Sequence, residues 1–180
     1  VRALHNTAGV AELNERFRVP IAPGAGVERF NIAPTEEVLA IVAPDGEPDA
    51  RRLRWGLVPW WSKDLKGAAR MDQRACRDGG LDAGVSGSAA GCVVSGVADR
   101  CGYFEWLKPE KRNEPRQPFF FQVDGGVLFA FAALWTTARV VGEQVQSVTL
   151  LTCDATSNSV AAGIHDRMPV ILADREVQNA

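Results

Sequence analysis

The stretch "PFFFQVDGGVLFAFAA", residues 118–133, decides the fold class. Two runs rich in aromatic and aliphatic side chains, Phe119–Val123 and Val127–Ala133, flank the tetrapeptide "VDGG". Such side chains suit strands, and Asp-Gly between two runs suits a hairpin turn. Further strand candidates lie on both sides: Val38–Val42, Leu53–Val58, Cys92–Ala98, Val148–Thr152 and Val170–Leu172. Only "TAGVAELNERFRV" reads as a helix. Thr7 can cap it, and Val10, Leu13 and Phe17 fall at helical spacing. "PIAPGAG" then ends it with Pro and Gly. The Gly-, Ala- and Ser-rich stretch 78–91 reads as a flexible loop or a poorly formed helix, and the polar, proline-containing stretch 107–118 as an exposed loop between strands. Many strands with few helices imply one β-rich α+β domain.

Length and composition agree with that class. The 180 residues are 46% hydrophobic and 23% charged, with net charge −2, as in an ordinary globular domain. No apolar run reaches the roughly 20 residues of a membrane-spanning helix. The first residues lack the apolar core of a secretory signal. Cys76, Cys92, Cys101 and Cys153 form no C-x-x-C pair, and the two histidines offer no zinc-type spacing. A structural zinc site is not expected. The chain reads as cytoplasmic, with reduced thiols and no cofactor.

Charge is unevenly placed. Arg51–Arg77 holds eight Lys/Arg against two acids, Asp64 and Asp72, so it carries +6 in a chain of −2. Trp55, Trp60 and Trp61 lie in the same stretch. Cations beside aromatic rings suit single-stranded nucleic acid, where cations follow phosphates and rings stack on bases. A solvated basic face over a tryptophan-containing core is the structural alternative.

Two short segments place reactive side chains in apolar frames. In "GYFEW", Glu105 lies between Phe104 and Trp106. A carboxylate desolvated by aromatics suits a general acid, whereas a strand glutamate facing away from both neighbours would point into water. In "IHDRMP", His165 can give and take protons near neutral pH. In an extended chain Asp166 cannot share its face, while Arg167 can, and could hold a phosphate. No P-loop and no G-x-S-x-G elbow is present.

The ordered blocks "FNIAPTEEVLAI", "RWGLVPWWSKD", "GYFEW", "ALWTT" and "IHDRMPVIL" resemble the SOS response-associated peptidase (SRAP) family, the abasic-site-processing domain. The resemblance runs from about Leu4 to Leu172. It implies a β-rich α+β domain built on a strongly curved or barrel-like, mainly antiparallel sheet with a few short helices. It also implies one domain over residues 1–180, incomplete at both ends, and single-stranded DNA carrying abasic sites as the partner. No membrane association is implied; a monomer is expected, cytoplasmic and at the nucleoid after DNA damage in a bacterium.

The resemblance assigns roles by position. An N-terminal cysteine of the family attacks the abasic aldehyde through its amine, and its thiol closes a thiazolidine. Glu105 matches the family's acid, and His165 its proton-transfer histidine. Trp60 and Trp61 match a ring wedge that stacks beside the lesion. Arg74, Arg167, Arg2 and Trp106 are the further expected DNA contacts. Three departures stand out. The chain begins "VRAL", and no cysteine precedes Cys76. "MDQRA" puts Asp72 where the family has an asparagine, so Asp72 becomes the third candidate of the reactive set. Arg100-Cys101 look inserted ahead of "GYFEW". The competing functions are a non-catalytic single-strand binder and a self-directed or thiol peptidase.

Overall fold

The computed structural model describes residues 1–6, 9–22, 29–65, 71, 73–77, 80–81, 90–96, 102–107, 109, 113–124 and 128–172; for 74–77, 80–81 and 90–96 it describes strand pairing alone. The elements run β1 (Ala3–Asn6), α1 (Val10–Phe17), β2 (Arg29–Ile32), β3 (Glu37–Val42), β4 (Asp49–Trp55), β5 (Gln73–Arg77), β6 (Gly80–Leu81) and β7 (Ala90–Gly96). They continue as β8 (Gly102–Trp106), β9 (Pro118–Phe121), β10 (Phe129–Val140), β11 (Glu143–Asp154), α2 (Ser159–Ala162), β12 (Arg167–Pro169) and β13 (Ile171–Leu172).

These strands form two sheets. The smaller has the order β2-β1-β8-β9. The larger has the order β13-β10-β7-β3-β4-β11-β5-β6, with β12 on β11 and a further pairing of β10 with β11. The β-rich α+β class holds. The expected single curved or barrel-like sheet is replaced by two sheets, and the larger is mixed, because β11 runs parallel to both β4 and β5.

The hairpin expected in 118–133 does not form. Phe119–Phe121 pair with β8, Phe120 lying opposite Phe104, while Phe129 and its successors pair with β7. Residues 118–133 therefore lead from one sheet to the other. The reason lies in Gly102: a Cβ there would sit 2.1 Å from the Phe121 carbonyl oxygen. Only a bare backbone lets β9 approach β8 so closely. Strand propensity was right for each run, but it does not choose the partner.

The long hairpin is instead β10–β11, in register from Ala133↔Leu150 to Val140↔Glu143. Its two-residue turn, Val141 and Gly142, has φ of 51° and 87°. Positive φ at both positions matches the twist of the flanking strands. The core lies on the inner face of the larger sheet, where Trp55, Leu53, Phe131 and Leu150 are fully buried. Helix α1 adds fully buried Leu13, with Val10 and Phe17 packed against the same cluster. Each such side chain contributes about 1.5–3 kcal/mol on burial. The expected cap Thr7 lies outside the described residues; Gly9 stands at the N-cap with no side-chain bond.

Candidate functional site

The site grows from the alternation in β8. Tyr103 and Glu105 are buried there, while Phe104 and Trp106 are half-exposed. Tyr103 lies flat against Phe121, with ring centroids 4.9 Å apart. Burial, and then the neighbouring Glu105 and Cys153, push its phenol up to about 12, so it stays neutral. Glu105 thus faces inward, opposite to the two aromatics beside it, and is not the solvent-facing strand glutamate that alternation alone would allow. A buried carboxylate needs cationic or N–H partners. Glu105 has them: its Oε2 accepts from the Val1 nitrogen at 2.6 Å, and its Oε1 from the Trp106 N–H at 3.2 Å. The Arg2 guanidinium stands 3.9 Å from Oε1.

Gln73 completes this pocket from the other sheet. Its Oε1 accepts from the Val1 nitrogen at 2.9 Å, and its Nε2 donates to the Val1 carbonyl. Gln73 sits on β5, opposite Leu150 of β11, so the pocket lies on the seam between the sheets. Arg2 extends β1 toward β8 by donating its N–H to the Phe104 carbonyl at 3.0 Å.

His165 comes from the turn between α2 and β12. Asn158 caps α2, accepting the N–H groups of Val160 and Ala161 at 3.1 Å each. The turn then closes with the His165 N–H donating to the Ala161 carbonyl at 2.9 Å. An open cavity of about 660 Å³ joins this turn to β8; its lining includes Arg2, Trp106, Arg116, Gly163, His165 and Asp166. The His165 Nδ1 lies 2.9 Å from an Asp166 carboxylate oxygen and 3.1 Å from the Arg167 N–H. A neutral ring protonated on Nε2 accepts from that N–H; an imidazolium donates to the carboxylate instead. The extended chain that would keep Asp166 off the face of His165 does not form here: 165–166 turn before β12 begins, and the two side chains meet.

The structure brings Arg2, Trp106 and His165 to one cleft, beside Glu105. Other candidates lie apart from that lining. Trp60 and Trp61 are exposed and meet edge to face, with centroids 5.4 Å apart. Buried Leu57 and Val58 anchor their loop, the Val58 N–H donating to the Ser147 hydroxyl at 2.8 Å. Arg167 donates its Nε to the Thr152 hydroxyl at 3.1 Å and an NH2 to the Thr152 carbonyl. Arg74 lies on β5 opposite Leu151. Asp72 lies outside the described residues. Within the basic stretch, Arg51 pairs with Asp49, Arg52 with Glu37, and Arg54 donates to the Thr35 carbonyl, so much of β4's charge is met inside the fold. Trp55 of that stretch is core.

Two residues of this arrangement were missed. Gln73 carries no motif signal of its own, although its side-chain amide can both donate and accept. Arg116 was hidden in a polar loop, where nothing local marks one cation from another. Among the described residues, no group of three His, Cys, Asp or Glu is placed to hold a metal ion, and no helix is long and apolar enough to cross a membrane. Cys153 is a free thiol directed at the Met168 carbonyl.

Residues 3–179 match the family described as SOS response associated peptidase (SRAP). The chain belongs to the SRAP family. This SRAP chain is 32% identical over 153 residues to the abasic site processing protein YoaM of Bacillus subtilis, covering 80% of the chain and 61% of YoaM. It is 30% identical over 149 residues to the abasic site processing protein YedK of Escherichia coli, covering 82% of the chain and 61% of YedK. The SRAP chain thus spans about three fifths of the length of these relatives. Its fold is also that of a crystal structure of a Bordetella bronchiseptica protein, with TM-score 0.77, 19% identity, and coverage of 99% of this chain and 87% of that one. A Bacteroides thetaiotaomicron protein aligns with TM-score 0.75 and 17% identity, covering 99% and 80% respectively.

Proposed function

We propose that this SRAP chain acts on abasic sites in single-stranded DNA, binding the strand in the cleft and linking the open-chain sugar covalently at the Glu105 pocket. The observation that carries this reading is Glu105 itself: an inward carboxylate, on the seam of two sheets, 2.6 Å from the Val1 nitrogen. The pocket adjoins a cleft with two arginines, a tryptophan and a histidine. The relatives called abasic site processing proteins support the substrate class.

The chemistry follows from what each group can do. An abasic sugar opens to an aldehyde, and a free amine at the Glu105 pocket attacks its carbonyl carbon. A protonated Glu105 would deliver a proton to the departing oxygen, and His165 would move protons during imine formation and reversal. A thiol beside the amine would close the imine to a thiazolidine; no cysteine precedes Cys76. Arg2 and Arg116 would hold flanking phosphates, and Trp106 would cover the baseless gap. Arg74, Arg167, Trp60 and Trp61 would extend the contact along the strand. The Gln73 amide, bonded to both the amine and the carbonyl of Val1, would orient the attacking amine.

The test mixes the protein with an abasic single strand, an intact single strand and a blunt duplex. Denaturing electrophoresis and intact mass follow any adduct, with and without borohydride. Adduct on the abasic strand alone, mapping to the residue at the Glu105 pocket, is the expected result. Tight binding with no adduct under borohydride would leave a non-covalent single-strand binder. No binding to any of the three would overturn the reading.

A further inference from the structure

The smaller sheet has a second face, turned away from the core, and it is built of rings. Strand register puts Ala3 opposite Phe104, His5 opposite Gly102, and Phe120 opposite Phe104, so these residues share one face. Phe30 of β2 joins them at the sheet's edge. The rings form a row: Phe30 to His5 at 5.3 Å, His5 to Phe120 at 5.4 Å, Phe120 to Phe104 at 4.8 Å, and Phe104 to Trp106 at 6.2 Å. Gly102 makes the row continuous, since a Cβ there would stand 2.6 Å from the Phe120 ring. Only glycine lets that ring lie across β8 and reach His5. The His5 Nδ1 donates to the Phe30 carbonyl at 2.9 Å, which fixes the imidazole in the row.

The two faces of this sheet differ in how their rings meet. On the inner face, Tyr103 and Phe121 stack at 7° and satisfy one another. On the outer face the interplanar angles are 62°, 76°, 39° and 49°. Edge-to-face and tilted contacts cover at most part of each ring, so a ring that is also exposed keeps surface for a further flat group. Phe30 is 68% exposed and Phe120 39%. At one end the row runs into the cleft, because Trp106 both ends the row and lines the cavity. Arg2 and Arg116 supply positive charge at that end. Open rings leading from a cationic mouth match a polyanion that carries flat bases.

We propose that the row Trp106–Phe104–Phe120–His5–Phe30 is a base-stacking surface for single-stranded nucleic acid leaving the cleft. The proposal rests on the DNA-binding reading of the cleft and adds a direction to it: the flanking strand crosses the smaller sheet from β8 toward β2. Its stacking is tolerant of sequence, as every base has a π-face. Phe30 is the outermost stacking position.

The test uses the full chain and fluorescence anisotropy with two single strands carrying a central abasic residue. One strand of about 5 nucleotides fills the cleft, and one of about 15 also reaches the sheet. Phe30→Ala and Phe120→Leu are compared with the unchanged protein, alongside circular-dichroism melting. The long strand is expected to bind the unchanged protein more tightly than the short one. Phe30→Ala should weaken the long strand by on the order of tenfold and leave the short one unchanged. Phe120→Leu should do the same by a smaller factor. Equal affinity of the unchanged protein for both lengths would overturn the stacking surface while the cleft reading stands. Equal losses on both strands would overturn it too. A dimer of the unchanged protein that becomes monomeric in Phe30→Ala would assign the face to a second copy of the chain. Failure of the short strand to bind any variant would count against the cleft reading instead.

Discussion

The two sheets use the same residue types in opposite ways. In the larger sheet, aromatic and aliphatic side chains point inward: Phe131, Trp55 and Leu150 are fully buried. In the smaller sheet, β8 turns a carboxylate inward and two aromatics outward. The larger sheet therefore follows the usual economy of burial, with apolar area removed from water. The smaller one carries a buried charge that needs partners and leaves rings exposed that could have been buried. Departures of this kind gather where a protein does chemistry or binds. On the proposed function, the contrast separates what holds the molecule together from what it acts with.

That contrast can be broken experimentally. The largest effect is expected from Glu105→Gln in the smaller sheet. It should slow adduct formation on abasic DNA about 10²–10⁴-fold, as removal of a general acid does, while DNA affinity is kept. Single-turnover kinetics on a form whose first residue supplies a free amine would measure it. An unchanged rate would reassign the acid and make Glu105 a structural anchor.

Next comes Phe131→Ala in the larger sheet. Loss of a fully buried ring should cost about 3–5 kcal/mol in urea unfolding. A loss below about 1 kcal/mol would mean that the larger sheet is not the main core. Gly102→Ala should be smaller, about 1–3 kcal/mol, because β9 must withdraw from β8 to admit the methyl group. It should also impair binding of the long DNA strand, since the ring row would be cut at Phe120. Wild-type stability in this variant would show that β9 is free to move.

The smallest effect concerns the connection between the sheets. Glu36 lies between β2 of the smaller sheet and β3 of the larger. Its carboxylate accepts from the Ala33 N–H and from Arg29, each at 2.6 Å. The Ala33 hydrogen bond, chiefly, with help from Arg29, holds its pKa below the usual value against the opposing cost of burial. A depressed carboxylate stabilises the folded state above its unfolded pKa and loses that contribution as pH falls through the folded value. Melting temperature should therefore decline on acidification, and Glu36→Gln should flatten part of that decline. An identical pH profile in the variant would exclude this corner as a contributor.

Much of the larger sheet was legible in the residues. Val38–Val42 became β3, and Val148–Thr152 fell within β11, because apolar β-branched runs bury well in any sheet that accepts them. Helix α1 was readable from Val10, Leu13 and Phe17. Glu105 and His165 were named from motif and chemistry, and both stand at the cleft and its adjoining pocket. Less was legible in the smaller sheet. β1 and β2 are four residues each, too short for a periodic signal, and β1 pairs with a strand about a hundred residues away. Leu53–Val58 was read as a single strand, but the chain leaves β4 at Trp55 and turns through Gly56, whose φ is 123°.

The sequence by itself determined the β-rich class, the family and the chemical types at the candidate site, because composition, periodicity and motif order are written along the chain and need no tertiary contact. Tertiary structure alone decided the partners. It sent Phe119–Phe121 to β8 and Phe129 onward to β7, where adjacency in the chain suggested a hairpin. It chose Gln73 as the amide at the Glu105 pocket and added Arg116 to the cleft. Those choices depend on which backbones can approach, as at Gly102, and on which donors a buried carboxylate finds. Both are settled only when distant segments pack together.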